Sequence, residues 1–273
     1  MLKPQASATR ELINLDGLWD FKVDFKDEGF AQNWSGKTLD TDLQAPVPAS
    51  YNDIFADTKI REHVGWVWYQ RTVRVPRGFN GGRIFVRVDS ATHEGIVFVN
   101  GKEVARHVGG YMPFSADISA HVSAAEEFVL TIAVNNVLTN ETVPPGRVVT
   151  RDDGTKQQTY LHDFYNYAGL ARSVHLFSVP RNSVEDVTVV TDFSGTKGQV
   201  SYEVVTTSSA EVKTTLIDES QKVVATGTGS KSVLEIENVK LWQPGNAYLY
   251  VLKIEVVVDG AVVDAISKAN GER

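Results

Sequence analysis

Short runs of β-branched and aromatic residues, separated by turn residues, recur along this chain and predict β-strands. One run, GRIFVRVDS (82–90), holds apolar residues between a glycine and an Asp-Ser pair. Farther along, Asn100-Gly101 is the two-residue signal of a type I′ hairpin turn, and strand-like runs flank it. No apolar pattern of helical period extends beyond about two turns. The chain is therefore predicted to be all-β, arranged as sandwiches or barrels.

The pattern changes near Pro180-Arg181. The part before it is rich in Trp, Tyr, Phe and His and has long irregular stretches. The part after it predicts about seven short Val/Thr-rich strands in roughly 93 residues, which is typical of an immunoglobulin-like sandwich. The pair Asp259-Gly260 predicts a hairpin near its end. We therefore predict two domains, residues 1–181 and residues 182–273.

Composition narrows the class of protein. The 273 residues are 42% hydrophobic and carry a formal net charge of −7, which argues against nucleic acids and anionic membranes as partners. The absence of cysteine excludes disulfides and thiolate metal sites. The first residues lack the apolar core of a signal peptide, and no apolar run has the length of a membrane span. A cytoplasmic location is therefore expected.

Candidate chemistry is sparse by motif. The six histidines do not have the spacing of metal ligands, and no nucleotide-binding or acyl-transfer motif occurs, so no cofactor or metal is predicted. Paired carboxylates can hydrolyse glycosides, but the 34 acidic residues cannot be resolved into a pair by composition.

Three aromatic residues, Trp66, Trp68 and Tyr69, cluster at the start of a strand-like run. The apolar C–H faces of sugar rings stack on aromatic side chains, so such a cluster could form a carbohydrate-binding face. Tryptophan is also mostly buried in folded proteins, and the interpretation as sandwich core is favoured.

The segment 161–174, LHDFYNYAGLARSV, is rich in rings but has the period of neither a strand nor a helix. Asp163 could accept hydrogen bonds from two hydroxyls, with Asn166 and the neighbouring tyrosines positioning it and Gly169 allowing a tight bend. Alternatively, the segment only packs one domain on another, and Arg172 ties down a carbonyl or a carboxylate. The chemistry of the residues leaves both interpretations open.

Several ordered runs together resemble the start of β-glucuronidases of glycoside hydrolase family 2. GLWDF, G-W-x-WY-x-R and VNG are shared across that family, whereas PVPASYND and HDFYNYAG are similar to β-glucuronidases in particular. The resembling runs are LDGLWDFKVD (15–24), PVPASYNDIF (46–55), HVGWVWYQRTVRVP (63–76), residues 87–119, TIAVNN (131–136), residues 162–180 and LWQPGNAYLY (241–250).

The resemblance implies three parts: a sugar-binding jelly roll of the galactose-binding type, an immunoglobulin-like β-sandwich and a catalytic (β/α)8 barrel. The first two fit residues 1–181 and 182–273, whereas no barrel segment is recognised. The family's acid/base and nucleophilic glutamates lie in the barrel, so the chain alone is expected to be inactive. The pair Asn140-Glu141 lacks the Trp-containing barrel strand that precedes the family's acid/base, so no catalytic residue is assigned.

The resemblance also assigns the segment 161–174 a role. The aspartate that matches Asp163 hydrogen-bonds a hydroxyl of the bound glucuronide, which makes Asp163 a substrate-binding residue with His162 and Asn166 as its supports. The expected partners are a β-glucuronide, bound weakly by this chain alone, the missing barrel, and further copies of the chain. The alternative is a free-standing carbohydrate-binding or accessory protein.

Overall fold

The computed structural model describes residues 2–163 and 165–270, and β-strands dominate their regular structure. The strands up to residue 179 are β1 (Glu11–Asn14), β2 (Gly17–Val23), β3 (Gln44–Val47), β4 (Trp66–Arg74), β5 (Arg83–Val88), β6 (Glu94–Val99), β7 (Lys102–Val108), β8 (Phe114–Asp117), β9 (Glu127–Asn135), β10 (Gly146–Thr150), β11 (Lys156–Tyr160) and β12 (Val174–Val179). The strands that follow are β13 (Val184–Ser194), β14 (Lys197–Thr206), β15 (Glu211–Ile217), β16 (Val223–Thr228), β17 (Lys231–Ile236), β18 (Tyr250–Val258) and β19 (Ala261–Asn270). The short helices are α1 (Tyr51–Ile54), α2 (Thr58–Arg61) and the 3-10 turns Trp34–Gly36 and Arg77–Phe79.

Residues 13–177 form one compact unit. Its larger sheet has the strand order β3-β2-β4-β9-β6-β7, and a smaller sheet has the order β1-β12-β5-β8. The hairpin β10–β11 forms a separate antiparallel ribbon. An apolar core fills this β-sandwich, as predicted for a jelly roll.

Strand β4 explains why the aromatic cluster lacks a clear alternation. Val67 and Tyr69 are buried in the main core, whereas Trp68, one position out of phase, is buried in a second cluster with Trp34 and Phe98. A strand that is buried on both faces has a continuous apolar run instead of an alternating one. The interpretation of Trp68 and Tyr69 as core residues is confirmed.

Both predicted hairpin turns are present. Asn100 and Gly101 have φ angles of 48° and 79° between β6 and β7, and Asp259 and Gly260 have φ angles of 50° and 79° between β18 and β19. Two consecutive left-handed residues are what a type I′ turn requires, and Asn, Asp and Gly tolerate that conformation best.

Residues 2–12 and 178–270 form the second compact unit. Its two sheets have the orders β13-β14-β17 and β16-β15-β18-β19, and an apolar core lies between them. The seven strands between residues 184 and 270 agree with the number predicted for the immunoglobulin-like sandwich. No helix in residues 2–163 or 165–270 is both long and apolar enough to cross a membrane.

The N-terminal segment belongs to this second unit through a buried ion pair. The Arg10 guanidinium donates to both carboxylate oxygens of Asp264 on β19, at 2.9 and 2.6 Å, and to the Val184 carbonyl at 2.7 Å. Leu2 packs against the same core. The domain boundaries predicted from the sequence, residues 1–181 and 182–273, assign this segment to the first domain. These boundaries stay a prediction.

Candidate functional site

The site segment begins directly after β11. Leu161 donates its main-chain N–H to the Pro145 carbonyl at 3.0 Å, so its start is fixed to the residue before β10. His162 and Asp163 follow with exposed side chains. Asp163 makes no hydrogen bond or ion pair with the part of the chain that the structure describes, which leaves its carboxylate free to accept from a ligand.

The aromatic residues of the segment differ in exposure. Tyr165 is half-buried, with its ring centroid 5.9 Å from that of Tyr160 and 5.3 Å from that of Tyr167. Tyr167 is exposed, and Phe164 lies outside the described residues. Partial burial raises the pKa of Tyr160 and of Tyr165 above the ordinary value, so both hydroxyls stay protonated at neutral pH.

Backbone hydrogen bonds hold the base of the segment on the jelly roll. The main-chain N–H groups of Ala49, Tyr51 and Thr92 donate to the carbonyls of residues 170, 168 and 169 at 3.0, 3.1 and 3.0 Å. Arg172 donates to the Tyr111 carbonyl at 3.2 Å. Arg172 therefore ties down a carbonyl, as one interpretation proposed.

Gly169 is required where the segment crosses the core. Its φ angle is +114°, in the region that side chains with a Cβ rarely adopt. A Cβ here would collide with the hydroxyl oxygen of Tyr69 and lie 3.2 Å from Cδ1 of Tyr51. The glycine thus allows the bend expected from the sequence and the close approach of the backbone to two buried rings.

Asn166 anchors the segment from inside. Its side chain is buried, its Nδ2 donates to the Asn136 carbonyl at 3.0 Å, and its Oδ1 lies 2.6 Å from Nε2 of His93. Because Nδ2 faces a carbonyl, Oδ1 must face the histidine, which fixes Nε2 of His93 as a donor. Burial lowers the pKa of His93, and the bond to Asn166 opposes that shift.

An open groove of about 1010 Å³ lies beside the segment, entirely within residues 13–177. Tyr160, Tyr165 and Asn166 line one part of it, and His63 and the half-buried Trp66 line another. Its aromatic and polar lining can contact a hydroxyl-rich molecule. Trp66 is therefore accessible from the groove, unlike Trp68.

The buried His93 and the half-buried His63 predict a pH dependence of stability. Burial is the largest cause of the lowered pKa at His93 and His63, so the unfolded chain, with a histidine pKa of about 6.5, takes up protons first as pH falls. The stabilising contribution is thus present above about pH 6.5 and is lost as pH falls through the folded-state pKa. We expect a lower melting temperature at pH 5 than at pH 7.5.

The variant His93→Gln tests the contribution of His93 to this pH dependence, because glutamine can keep a donor toward Asn166 but does not titrate. Its melting temperature should fall less between pH 7.5 and pH 5 than that of the unaltered chain. An equal or larger fall, measured by thermal denaturation in the same buffers, contradicts a role for His93 in acid sensitivity.

Comparison with family models gives two adjoining matches. Residues 12–180 match the sugar binding domain of glycosyl hydrolases family 2, and residues 182–273 match a second model of the same family. The chain belongs to glycoside hydrolase family 2. Within the described residues, no group of three or more His, Asp or Glu side chains is placed to hold a metal ion.

Family relatives match along nearly the whole chain. The β-glucuronidase of Paenibacillus borealis is 44% identical over 263 residues, which are 94% of this chain and 44% of that protein. The β-glucuronidase of Homo sapiens is 41% identical over 286 residues, covering 94% of this chain and 43% of that protein. The chain thus spans less than half the length of these curated relatives.

Solved structures agree in fold. The Lactobacillus rhamnosus β-glucuronidase superposes with a TM-score of 0.95 at 40% identity, covering 99% of this chain and 46% of that one. The Ruminococcus gnavus β-glucuronidase in complex with D-glucuronic acid has a TM-score of 0.96 at 34% identity, covering 100% of this chain and 47% of that one. This chain aligns with the N-terminal part of family 2 β-glucuronidases.

The sequence analysis missed two residues that contact Asn166. His93 and Asn136 lie 73 and 30 positions away from it, within the resembling runs 87–119 and 131–136, but neither was singled out as a site residue. A signal was available at Asn136, because the pair Asn135-Asn136 ends the apolar run of β9 and a polar pair there favours a turn or a hydrogen-bonding role.

Proposed function

We propose that these 273 residues form the N-terminal, non-catalytic part of a β-glucuronidase. The whole protein would hydrolyse β-D-glucuronides with retention, using two carboxylates about 5 Å apart that a further part of the protein supplies. The observation that carries this proposal is the extent of the alignment. Proteins called β-glucuronidase match 94% or more of this chain with under half of their own length.

Asp163 is proposed as the residue of this chain that binds substrate. Its exposed carboxylate, without a partner among the described residues, can accept hydrogen bonds from sugar hydroxyls. Asn166 supports it through its two buried hydrogen bonds, whereas the exposed His162 supports it from the adjacent position. Because this chain would form only one wall of the binding site, its own affinity for a glucuronide should be weak.

Other proposed properties stay predictions. They are the cytoplasmic location, association with further copies of the chain, and the lack of nucleic-acid and membrane partners. The net charge of −7 supports the last of these, because nucleic acids and anionic lipids attract basic surfaces.

The test compares the chain alone with a hybrid. The purified 273-residue chain should release no aglycone from a chromogenic β-D-glucuronide above the buffer rate, because it carries no assigned pair of catalytic carboxylates. A hybrid in which it replaces the matched N-terminal part of the Paenibacillus borealis β-glucuronidase should hydrolyse the same substrate. The matching β-D-galactoside serves as the control substrate.

Two results would contradict the proposal. One is turnover by the chain alone that rises in proportion to its concentration and survives purification. The other is a cooperatively folded hybrid without activity toward the glucuronide. Binding of a sugar by the chain alone, together with an inactive hybrid, would favour the carbohydrate-binding module instead.

A further inference from the structure

One main-chain oxygen, the carbonyl of Asn136, accepts hydrogen bonds from residues on both sides of Asp163. Gln158 on β11 donates to it through Nε2 at 3.2 Å, and Asn166 donates through Nδ2 at 3.0 Å. Along the chain, Gln158 precedes Asp163 and Asn166 follows it. Residues 158 and 166, which flank Asp163 on its two sides, are therefore hydrogen-bonded to the same atom.

The shared oxygen is itself held firmly. The Asn136 side chain is buried and uses all its hydrogen-bonding groups: Nδ2 donates to the hydroxyl of Tyr51 at 2.8 Å and to the carbonyl of His63 at 2.7 Å, and Oδ1 accepts from the N–H of Gly65 at 2.9 Å. A buried side-chain amide that makes three hydrogen bonds has one low-energy arrangement, and this restricts the movement of the Asn136 main chain and its carbonyl.

Gln158 has a second bond that fixes its own direction. Its Oε1 accepts the main-chain N–H of Leu138 at 2.6 Å. The carbonyl of Asn136 and the N–H of Leu138 thus bind the two ends of one side-chain amide, which presents a donor and an acceptor about 2 Å apart in a fixed plane. The hairpin β10–β11 is attached to the loop after β9 by this amide.

We propose that Gln158 is a positioning residue for Asp163, and that it acts through the carbonyl of Asn136. The proposal rests on the proposed function of Asp163. With the chain held at both residue 158 and residue 166, the Asp163 carboxylate is presented in few orientations. With one of these hydrogen bonds lost, the carboxylate samples more orientations, and the fraction able to bind substrate falls.

The test uses one substitution that removes the donor, keeps the acceptor and adds one negative charge. Gln158→Glu keeps an oxygen for the N–H of Leu138 but places a carboxylate oxygen against the Asn136 carbonyl, where it cannot donate when ionised. Gln157→Glu is the matched control, since it makes the same change of charge one position away on β11. The side chain of Gln157 is exposed and already accepts from Arg151 at 3.2 Å.

The first measurement is hydrogen–deuterium exchange on the 273-residue chain. The decisive amide is that of Ala168, which donates to Oδ1 of Asn52 at 3.0 Å and to Oγ of Ser50 at 3.3 Å, on the other side of Asp163 from Gln158. In Gln158→Glu its exchange should become about five- to tenfold faster, the effect of losing one buried hydrogen bond. In Gln157→Glu it should stay within about twofold of the unaltered chain.

The second measurement separates positioning from folding. In the hybrid enzyme, Gln158→Glu should lower kcat/KM about three- to tenfold, mainly by raising KM. The cause is the loss of the hydrogen bond from Gln158 to the Asn136 carbonyl. In a hybrid that already carries Asp163→Ala, the same substitution should change kcat/KM by less than about twofold. A merely structural contact would reduce activity equally in both backgrounds.

Three results overturn the proposal. They are unchanged exchange at Ala168, equal effects of Gln158→Glu and Gln157→Glu, and equal losses of kcat/KM with and without Asp163→Ala. Failure of the proposed function looks different. Asp163→Ala would then leave the hybrid fully active, while the exchange data would still decide whether Gln158 and the segment are coupled.

Discussion

Asp264→Ala is expected to lower the free energy of unfolding of the chain by about 3–5 kcal/mol. The Asp264 side chain is fully buried, and it accepts from the guanidinium of Arg10, the hydroxyl of Thr9 and the N–H of Val184. Removing it leaves a cation that is only 6% exposed without its carboxylate. The loss should appear in urea denaturation as a lower midpoint.

A surface pair of the same unit provides the control. Lys231 and Glu203 lie 3.5 Å apart with side chains 76% and 60% exposed, and Glu203→Ala should change the free energy of unfolding by less than about 1 kcal/mol. The combination Arg10→Met with Asp264→Leu should recover part of the loss, because both buried charges are then removed. If Asp264→Ala costs no more than Glu203→Ala, the ion pair does not hold the N-terminal segment.

Local sequence signals were sufficient to predict the strands and the two hairpin turns. Asn100-Gly101 and Asp259-Gly260 each lie in left-handed conformations between paired strands, because few other residue pairs adopt them without strain. The attachment of residues 2–12 to the second unit could not be predicted in this way. It depends on Arg10 meeting Asp264, 254 positions away, and no local pattern identifies such a pair.

The site was predictable only in part for the same reason. The resemblance assigned Asp163, and the segment's glycine indicated its bend. The network around Asn166 depends on strand order, because β6 and β9 are neighbours and pair Glu94 with Asn135. That pairing brings His93 and Asn136 next to each other, although they lie 43 positions apart and neither local sequence indicates the other as a neighbour.

Asp163→Ala is expected to lower kcat/KM of the hybrid enzyme for a β-D-glucuronide by roughly tenfold or more. The loss of one charge-assisted hydrogen bond, worth about 1.5–3 kcal/mol, has that effect when it is made to the reacting substrate. Stability should hardly change. The Asp163 side chain is exposed and has no partner among residues 2–163 and 165–270, and exposed substitutions of this kind usually stay within about 0.5 kcal/mol.

The comparison with Asp153→Ala makes the result specific. Asp153 is also exposed and lies in the turn between β10 and β11, where its carboxylate accepts from the N–H and the hydroxyl of Thr155 at 2.9 and 2.6 Å. Asp153→Ala should leave kcat/KM within about twofold of the value for the unaltered hybrid, because the Asp153 carboxylate is hydrogen-bonded within its own turn. A residue that only stabilises the fold changes stability and not turnover. A large fall in melting temperature for Asp163→Ala with normal kcat/KM would therefore show that the segment has a structural role and does not bind substrate.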